Sequence, residues 1–172
     1  MHKARLLRQP DLVGIVQKSA FFPSGTGEAD PANSGYWSKE KVRDFLEDLL
    51  ETERIGIRAF AAIGRAADVH IADLAFESEL AQGAICVLLK KEIAARGGAK
   101  RSRPIKTNVL AMPHPKSSLQ RMITFARCNQ TKLSDMIEQA VLNTFDSKLN
   151  AKLVYLLLLH RKQVEQLETF AA

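Results

Sequence analysis

The sequence is poor in aromatic residues, which make up 6% of its 172 positions, and it contains only two cysteines. Low aromatic content together with frequent alanine and leucine favours helices over a β-sandwich. Cys86 and Cys128 are far apart and match neither a metal-binding nor a disulfide-framework spacing, which suits a reducing compartment. We therefore expect one all-α globular domain, long enough to bury a sizeable core.

Long apolar runs are also missing. The N-terminal residues lack the apolar core that a signal peptide needs. The most apolar run, "LVYLLLLH" at residues 153–160, is far too short to cross a bilayer. These features predict a cytoplasmic protein without a membrane partner.

Acidic residues are missing from one segment, residues 97–116. The net charge of the chain is +6, and this segment holds five of those positive charges: Lys100, Arg101, Arg103, Lys106 and Lys116. It has no interleaved aromatic residues, and no recognised nucleic-acid-binding module surrounds it. We therefore interpret it as a solvated basic loop and expect no nucleic-acid partner.

Residues 1–37 are predicted to form an N-terminal extended arm or linker. Its second half, "FFPSGTGEADPANSGYW", is dominated by residues typical of turns and loops. Its first half contains "LVGIVQKSAFF", which has enough apolar residues to dock on the protein's own domain or on a second subunit.

Residues 38–172 are predicted to form four helices. Ser38 has the character of an N-cap for the first helix, and apolar residues then recur at spacings of four and three to about Ala67. The second helix is expected at about 69–96, closed by Gly97 and Gly98. The third is expected from near Lys116 to about 143 and the fourth at about 146–170, with a short connection that makes these two antiparallel neighbours.

A polar residue interrupts the apolar stripe of each predicted helix near its midpoint. These residues are Glu53, Gln82 (with Glu79 one turn away), Asn129 or Gln130, and His160. Midpoints lie at one level in an up-down-up-down bundle, so we expect the side chains to meet in a central layer. A buried carboxylate is costly without partners, and this layer would supply them.

The stretch "LLETERIG" around Glu53 and "HRKQVEQLE" in the last helix resemble the ferritin-like superfamily, and in particular rubrerythrin-like bundles. The resemblance covers about residues 38–170 and implies a ferritin-like up-down-up-down four-helix bundle. In that family two helices each contribute a Glu and the other two each contribute a Glu-x-x-His pair to two metal ions. Glu53 and Glu79 match two of the carboxylates, but Gln82 replaces a histidine. His160 matches the last histidine, and Leu157 replaces its glutamate.

These departures leave two functional hypotheses. Two metal ions need about four carboxylates, and only Glu53 and Glu79 are well placed, so the preferred hypothesis is a non-catalytic binding or scaffold bundle with a vestigial metal site and no cofactor. The alternative is a metal-binding protein or metal-dependent oxidoreductase that holds iron or manganese on Glu53, Glu79 and His160. Because ferritin-like bundles commonly pair through helix faces, and an arm could be exchanged between subunits, a homodimer is also expected.

Overall fold

The structure is a computed structural model that describes residues 35–98, 112–114 and 116–170. This part of the chain is helical and contains no strand. The four helices are α1 (Lys39–Ala66), α2 (Val69–Ala95), α3 (Leu119–Asn143) and α4 (Ser147–Thr169). The predicted all-α class and the number of helices are therefore confirmed for the described residues.

Each helix begins at an N-cap side chain that accepts hydrogen bonds from backbone N–H groups of the first turn. These caps are Ser38, Asp68, Ser118 and Asp146. Such a cap satisfies an N–H group that has no partner within the helix. Ser38 has the predicted role, whereas α3 begins at Leu119 rather than near Lys116 because Ser118 caps it.

The end of α2 agrees with the prediction from its two glycines. The Gly98 N–H donates to the Ile93 carbonyl at 3.0 Å, and the Gly97 N–H donates to the Ala94 carbonyl at 3.2 Å. Gly97 and Gly98 have φ values of 97° and 75°, which residues with a Cβ adopt rarely. This pair of bonds is a Schellman motif, and it terminates the helix while satisfying its last carbonyls.

Two apolar clusters fill the bundle, one on each side of its centre. One combines the N-terminal halves of α1 and α4 with the C-terminal halves of α2 and α3, and it includes Leu46, Leu89, Ile137 and Leu153. The other combines the opposite halves, and it includes Phe60, Ala75, Ile123 and Leu167. Helix α1 packs against α2 and α3, and α3 packs against α4.

The shared clusters give the helix directions and correct the predicted up-down-up-down order. Both α2 and α3 run antiparallel to α1, whereas α4 runs parallel to it, so the order is up-down-down-up. The Arg96–Asp146 ion pair agrees, because it joins the end of α2 to the start of α4. The reason for the difference is the connection from α2 to α3, which joins opposite ends of the bundle and makes these two helices parallel.

Two predicted segments lie largely outside the described residues. Of the arm at 1–37, the structure describes residues 35–37, and of the basic loop at 97–116 it describes residues 97–98, 112–114 and 116. The Trp37 N–H donates to the Asn143 carbonyl at 2.9 Å, and the Tyr36 ring packs edge-on against Phe145. Residues 36 and 37 therefore contact the α3–α4 corner of the bundle. None of the described helices has the length and apolarity required to cross a membrane.

Candidate functional site: a buried polar layer

A layer of polar side chains lies at the centre of the bundle, between the two apolar clusters. Glu53, Gln82, Gln130 and His160 are 0% exposed and Asn129 is 1% exposed. Each of the four helices contributes at least one of these side chains, near the helix midpoint as the sequence predicts. Burial of so many polar groups is costly unless they contact one another, so their pairing decides what the layer can do.

Three of the layer residues form a chain of contacts across the bundle. The Nε2 atom of His160 lies 2.8 Å from Oε1 of Glu53, and the Nδ1 atom lies 2.7 Å from Oε1 of Gln130. The Glu53 contact has the distance of an ion pair, but its angle is not that of a hydrogen bond. Nδ1 is therefore hydrogen-bonded to Gln130 on α3, whereas Nε2 faces Glu53 on α1 without a hydrogen bond.

The proton on His160 Nδ1 follows from its partner. An amide oxygen only accepts hydrogen bonds, so Nδ1 carries a proton and donates it to Gln130 Oε1. Nε2 lies opposite the Glu53 carboxyl group, and the two groups form an ion pair when the imidazole is protonated. Such a pairing lowers the cost of burying a carboxylate.

Gln82 is held differently, against the backbone of α1. A Cβ placed on Gly56 would lie 2.4 Å from Oε1 and 2.7 Å from Nε2 of Gln82, so only glycine leaves room for this amide. Neither Gln82 amide atom has a hydrogen-bond partner within the described part of the chain. The expectation that the layer residues supply partners to one another is therefore met only in part. His160 and Gln130 are hydrogen-bonded, whereas Gln82 and the Glu53 oxygens have no hydrogen bond within the described part of the chain.

Asn129 and two hydroxyl groups extend the layer along α1 and α3. The Asn129 amide nitrogen donates to the Thr52 carbonyl at 3.5 Å. The Thr52 hydroxyl donates to the Asp48 carbonyl, and the Ser134 hydroxyl donates to the Gln130 carbonyl. Of these three bonds, the Asn129 bond joins α3 to α1, whereas the two hydroxyl bonds lie within their own helices.

The residues proposed as metal ligands are only partly brought together. Glu53 and His160 are in contact, whereas Glu79 is half-buried one turn before Gln82. In residues 35–98, 112–114 and 116–170, no group of three or more His, Cys, Asp and Glu side chains is arranged to hold a metal ion. The layer consists of one carboxylate, one imidazole and three side-chain amides, a donor set that does not fit two iron ions.

The two cysteines lie in different surroundings. Cys86 is buried, and burial, assisted by the nearby charge of Glu53, raises the pKa of its thiol. This makes Cys86 a small apolar core residue, as its position in the sequence predicts. Cys128, whose surroundings the sequence leaves open, is exposed.

A second charged cluster, which sequence reasoning missed, lies at the end of the bundle between α2 and α4. Arg96 contacts Glu92 at 2.5 Å and Asp146 at 2.6 Å, and Lys152 also pairs with Glu92. The backbone N–H of Leu149, followed by Arg96, lowers the pKa of Asp146. Burial acts to raise the pKa of Glu92, but its bonds to Lys152 and Arg96 outweigh it and lower that pKa. The cluster ties two helices that are remote in sequence.

A small pocket of about 220 Å³ lies between the end of α1 and the start of α3. Its walls include Ala59, Ala62, Pro113, Met122 and Phe125. Pockets that bind drug-sized molecules usually range from about 300 to 1,000 Å³. The size of this pocket therefore does not favour such a ligand.

Comparisons with models of protein families, with curated proteins and with solved structures gave no match to this chain. Its function has to be argued from the geometry of its own residues.

Proposed function

We propose that this chain is a ferritin-like four-helix bundle that acts as a non-catalytic binding or scaffold protein, with a central layer that no longer serves as a di-metal centre. The observation that carries this proposal is the donor set around His160, which is fully buried with Nδ1 bonded to Gln130 and Nε2 2.8 Å from Glu53. A histidine that binds a metal presents one nitrogen lone pair to the ion. Here Nδ1 is occupied by Gln130, and a metal at Nε2 would find one carboxylate, Glu53, instead of the four that a di-metal bundle supplies.

The helix directions support the ferritin-like part of this proposal. Ferritin-like folds differ from simple bundles by one long crossover connection. An up-down-down-up order with a long connection between α2 and α3 agrees with that arrangement, and a simple bundle with short connections does not.

The donor chemistry of the layer supports the loss of the metal centre. Amide side chains stand at Gln82 and Gln130, where a di-metal bundle would use charged or imidazole ligands. An amide cannot offset the charge of a second metal ion, and Glu53 is the one buried carboxylate among the described residues. The layer instead provides specific polar contacts that fix which helix faces which, a use for which buried polar groups are known.

Elemental analysis of the full chain, purified without chelator and without a metal-affinity tag, tests the proposal. We expect no stoichiometric iron, manganese or zinc in the wild-type protein or in the Glu53→Ala variant. About one or two metal atoms per chain, lost in Glu53→Ala, would overturn the proposal and favour the metal-dependent alternative.

The Glu79→Gln variant provides a matched control for that experiment. Glu79 is half-buried and would be a ligand only under the metal-binding hypothesis. Adding Fe²⁺ or Mn²⁺ without oxygen should leave the unfolding temperature of wild type and Glu79→Gln unchanged. A metal present at about 100 times its dissociation constant would stabilise a true site by about 2.7 kcal/mol, and Glu79→Gln would then remove part of that gain.

A further inference from the structure

We propose that two copies of this chain associate in antiparallel fashion through the outer face of α2. This face carries a stripe that we call the outer stripe: Val69, Phe76, Leu80, Gly83, Val87 and Ala94. The four large residues of the stripe are 72%, 60%, 59% and 53% exposed in chain order. A monomer seldom leaves so many large apolar side chains in one line on a single helix, and such a surface usually marks an interface.

The stripe follows the spacing of a helix–helix seam. Starting at Val69, with Asp73 and Lys90 included, its positions recur at alternating intervals of four and three residues up to Ala94. That alternation is the seam of a two-helix coiled coil. The opposite face of α2, which contains Ala75, Gln82 and Leu89, is already buried inside the bundle. Helix α2 therefore has two seams, of which the described part of the chain uses one.

Gly83 supplies an independent observation. A Cβ added at this position would meet no atom within 4 Å, so nothing inside the described part of the chain requires a glycine there. Glycine in the middle of a helix costs about 1 kcal/mol relative to alanine. A close approach of a second helix outside the bundle gives this glycine a physical reason.

The charges of the stripe identify the partner as a second copy. Asp73 and Glu77 lie in the first half of α2, and Lys90 and Lys91 lie in the second half; all four are exposed. A two-fold axis that passes between Leu80 and Gly83 pairs each residue with one of the opposite half. Phe76 then faces Val87 of the second copy.

The same axis settles the remaining pairs. Leu80 packs over Gly83 of the second copy, where the missing side chain leaves space. Asp73 faces Lys90 of the second copy, and Val69 faces Ala94 of the second copy. Because the axis repeats each pair, the interface has complementary charges at both ends and an apolar centre, which is the self-complementary pattern that a two-fold interface requires.

A charge-swap series on the full chain tests this arrangement by sedimentation velocity over a range of concentrations. We expect the wild-type chain to dimerise. The Asp73→Lys and Lys90→Asp variants each place like charges opposite one another, and each should weaken dimerisation by about tenfold or more. The chain with both substitutions should dimerise as the wild type does. An equimolar mixture of the two single variants should form a heterodimer that is tighter than either homodimer.

Two matched controls separate the proposed interface from general effects of charge and apolarity. Lys162→Asp and Glu165→Lys reverse exposed charges on α4 and should leave the dimer unchanged. Leu80→Gln should weaken the dimer, whereas Leu142→Gln, at a leucine that is 68% exposed on α3, should not. Circular dichroism and thermal unfolding will show that all variants are folded, as their exposed positions predict.

Three results would overturn the proposal. The first is a wild-type chain that stays monomeric at every concentration, as it would if the arm covered the stripe. The second is a dimer that is insensitive to the single charge reversals, which would place the interface elsewhere. The third is a doubly substituted chain that remains as weak as the single variants, since this would exclude the antiparallel pairing of Asp73 with Lys90.

Discussion

Glu53 is an acidic residue at a core-facing helix position that is normally apolar, and the fold still accommodates it. It lies at a seam position and is fully buried, and its partner in the layer is His160, whose Nε2 atom is 2.8 Å away. The alternative to this pair is not a solvated carboxylate but an unpaired charge inside an apolar core. The consequences of substitution therefore depend on whether one partner or both are removed.

We predict strong coupling between Glu53 and His160. Glu53→Leu or His160→Leu alone should destabilise the fold by about 3–5 kcal/mol, because the remaining group has no partner in the core. The double variant Glu53→Leu/His160→Leu should lose far less, or gain stability, because two apolar side chains replace the pair. Urea unfolding of the wild type, the single leucine variants and the double variant gives the coupling energy.

The matched control for that cycle is Glu51 with Arg54, an exposed ion pair one turn along α1. Its removal should cost at most about 1 kcal/mol and should be additive with the layer variants. If the Glu53 and His160 substitutions were also additive, the two side chains would not interact in solution.

Gly56 gives the second prediction at the residue scale. Alanine normally stabilises a helix by about 1 kcal/mol relative to glycine, but here its Cβ would lie 2.4 Å from the Gln82 amide. Gly56→Ala should therefore destabilise the fold by about 1–3 kcal/mol, because the buried Gln82 side chain has to move. In a Gln82→Ala background the same substitution should instead be neutral or stabilising, and denaturant unfolding measures both values.

The decisive outcome is a change in the sign of the Gly56→Ala stability effect between the wild type and the Gln82→Ala background. A Gly56→Ala effect of equal size with and without Gln82 would mean that the two residues do not contact each other. Gly64→Ala is a suitable control on the same helix, because its nearest heavy atom would be 3.8 Å away. That substitution should show only the gain in helix propensity.

At the scale of the helices, sequence patterns predicted the layer residues well because helix position follows from local features. Ser38 was identified as a cap from its place before a periodic segment, and the glycines after α2 were identified as its terminus. Helix midpoints then follow from helix ends. A midpoint stays at the same level when a helix is reversed, so the central position of Glu53 and His160 did not depend on the predicted directions.

The same patterns could not predict contacts between side chains that are distant in sequence. The pairing of Arg96 with Asp146 depends on which helices are neighbours, and neither residue lies on an apolar stripe. The position of Gln82 against Gly56 depends on sub-ångström packing of α1 on α2. Periodicity identifies which side of a helix is buried, but it contains no information about its partner.

Asp146 at the start of α4 gives a prediction with a defined pH dependence. It caps α4 through the N–H groups of Lys148 and Leu149 and also pairs with Arg96. Asp146→Ala removes both roles and should cost about 1–2 kcal/mol at pH 7. Asp146→Asn keeps an oxygen for the cap and should cost less than about 1 kcal/mol, since the lost ion pair is partly exposed.

The sign of the pH effect follows from the lowered pKa of Asp146. The charged carboxylate stabilises the fold above the ordinary aspartate pKa of 3.8, and this contribution is lost as the pH falls through the lower pKa of the folded state. The stability difference between wild type and Asp146→Asn should therefore shrink below about pH 4. Urea unfolding between pH 3 and pH 7 measures it, and a difference that grows on acidification would contradict the assignment.

At the scale of the whole molecule, the directions of the helices are the feature that the sequence did not predict correctly. The short segment between α3 and α4 required an antiparallel pair, and the structure has one. The segment between α2 and α3 is long enough to join either the same or opposite ends of the bundle. A long connection can reach either end of the bundle at a similar cost, because the entropy lost on closing a loop depends only weakly on the length of the loop. The sequence of such a loop therefore does not indicate the direction of the next helix.

Distances between spin labels test the up-down-down-up order directly. In a Cys128→Ser background, cysteines at Lys91 near the end of α2 and at Gln120 at the start of α3 should be roughly 30–40 Å apart, because α2 and α3 are parallel. Labels at Lys91 and Lys148 should be roughly 10–20 Å apart, since the Arg96–Asp146 pair joins those ends. An up-down-up-down bundle would exchange the two distances. Double electron–electron resonance measures both distances, and diluting labelled chains with unlabelled protein removes contributions from distances between subunits. The comparison of the two distances distinguishes the up-down-down-up order from the up-down-up-down order without relying on either distance alone.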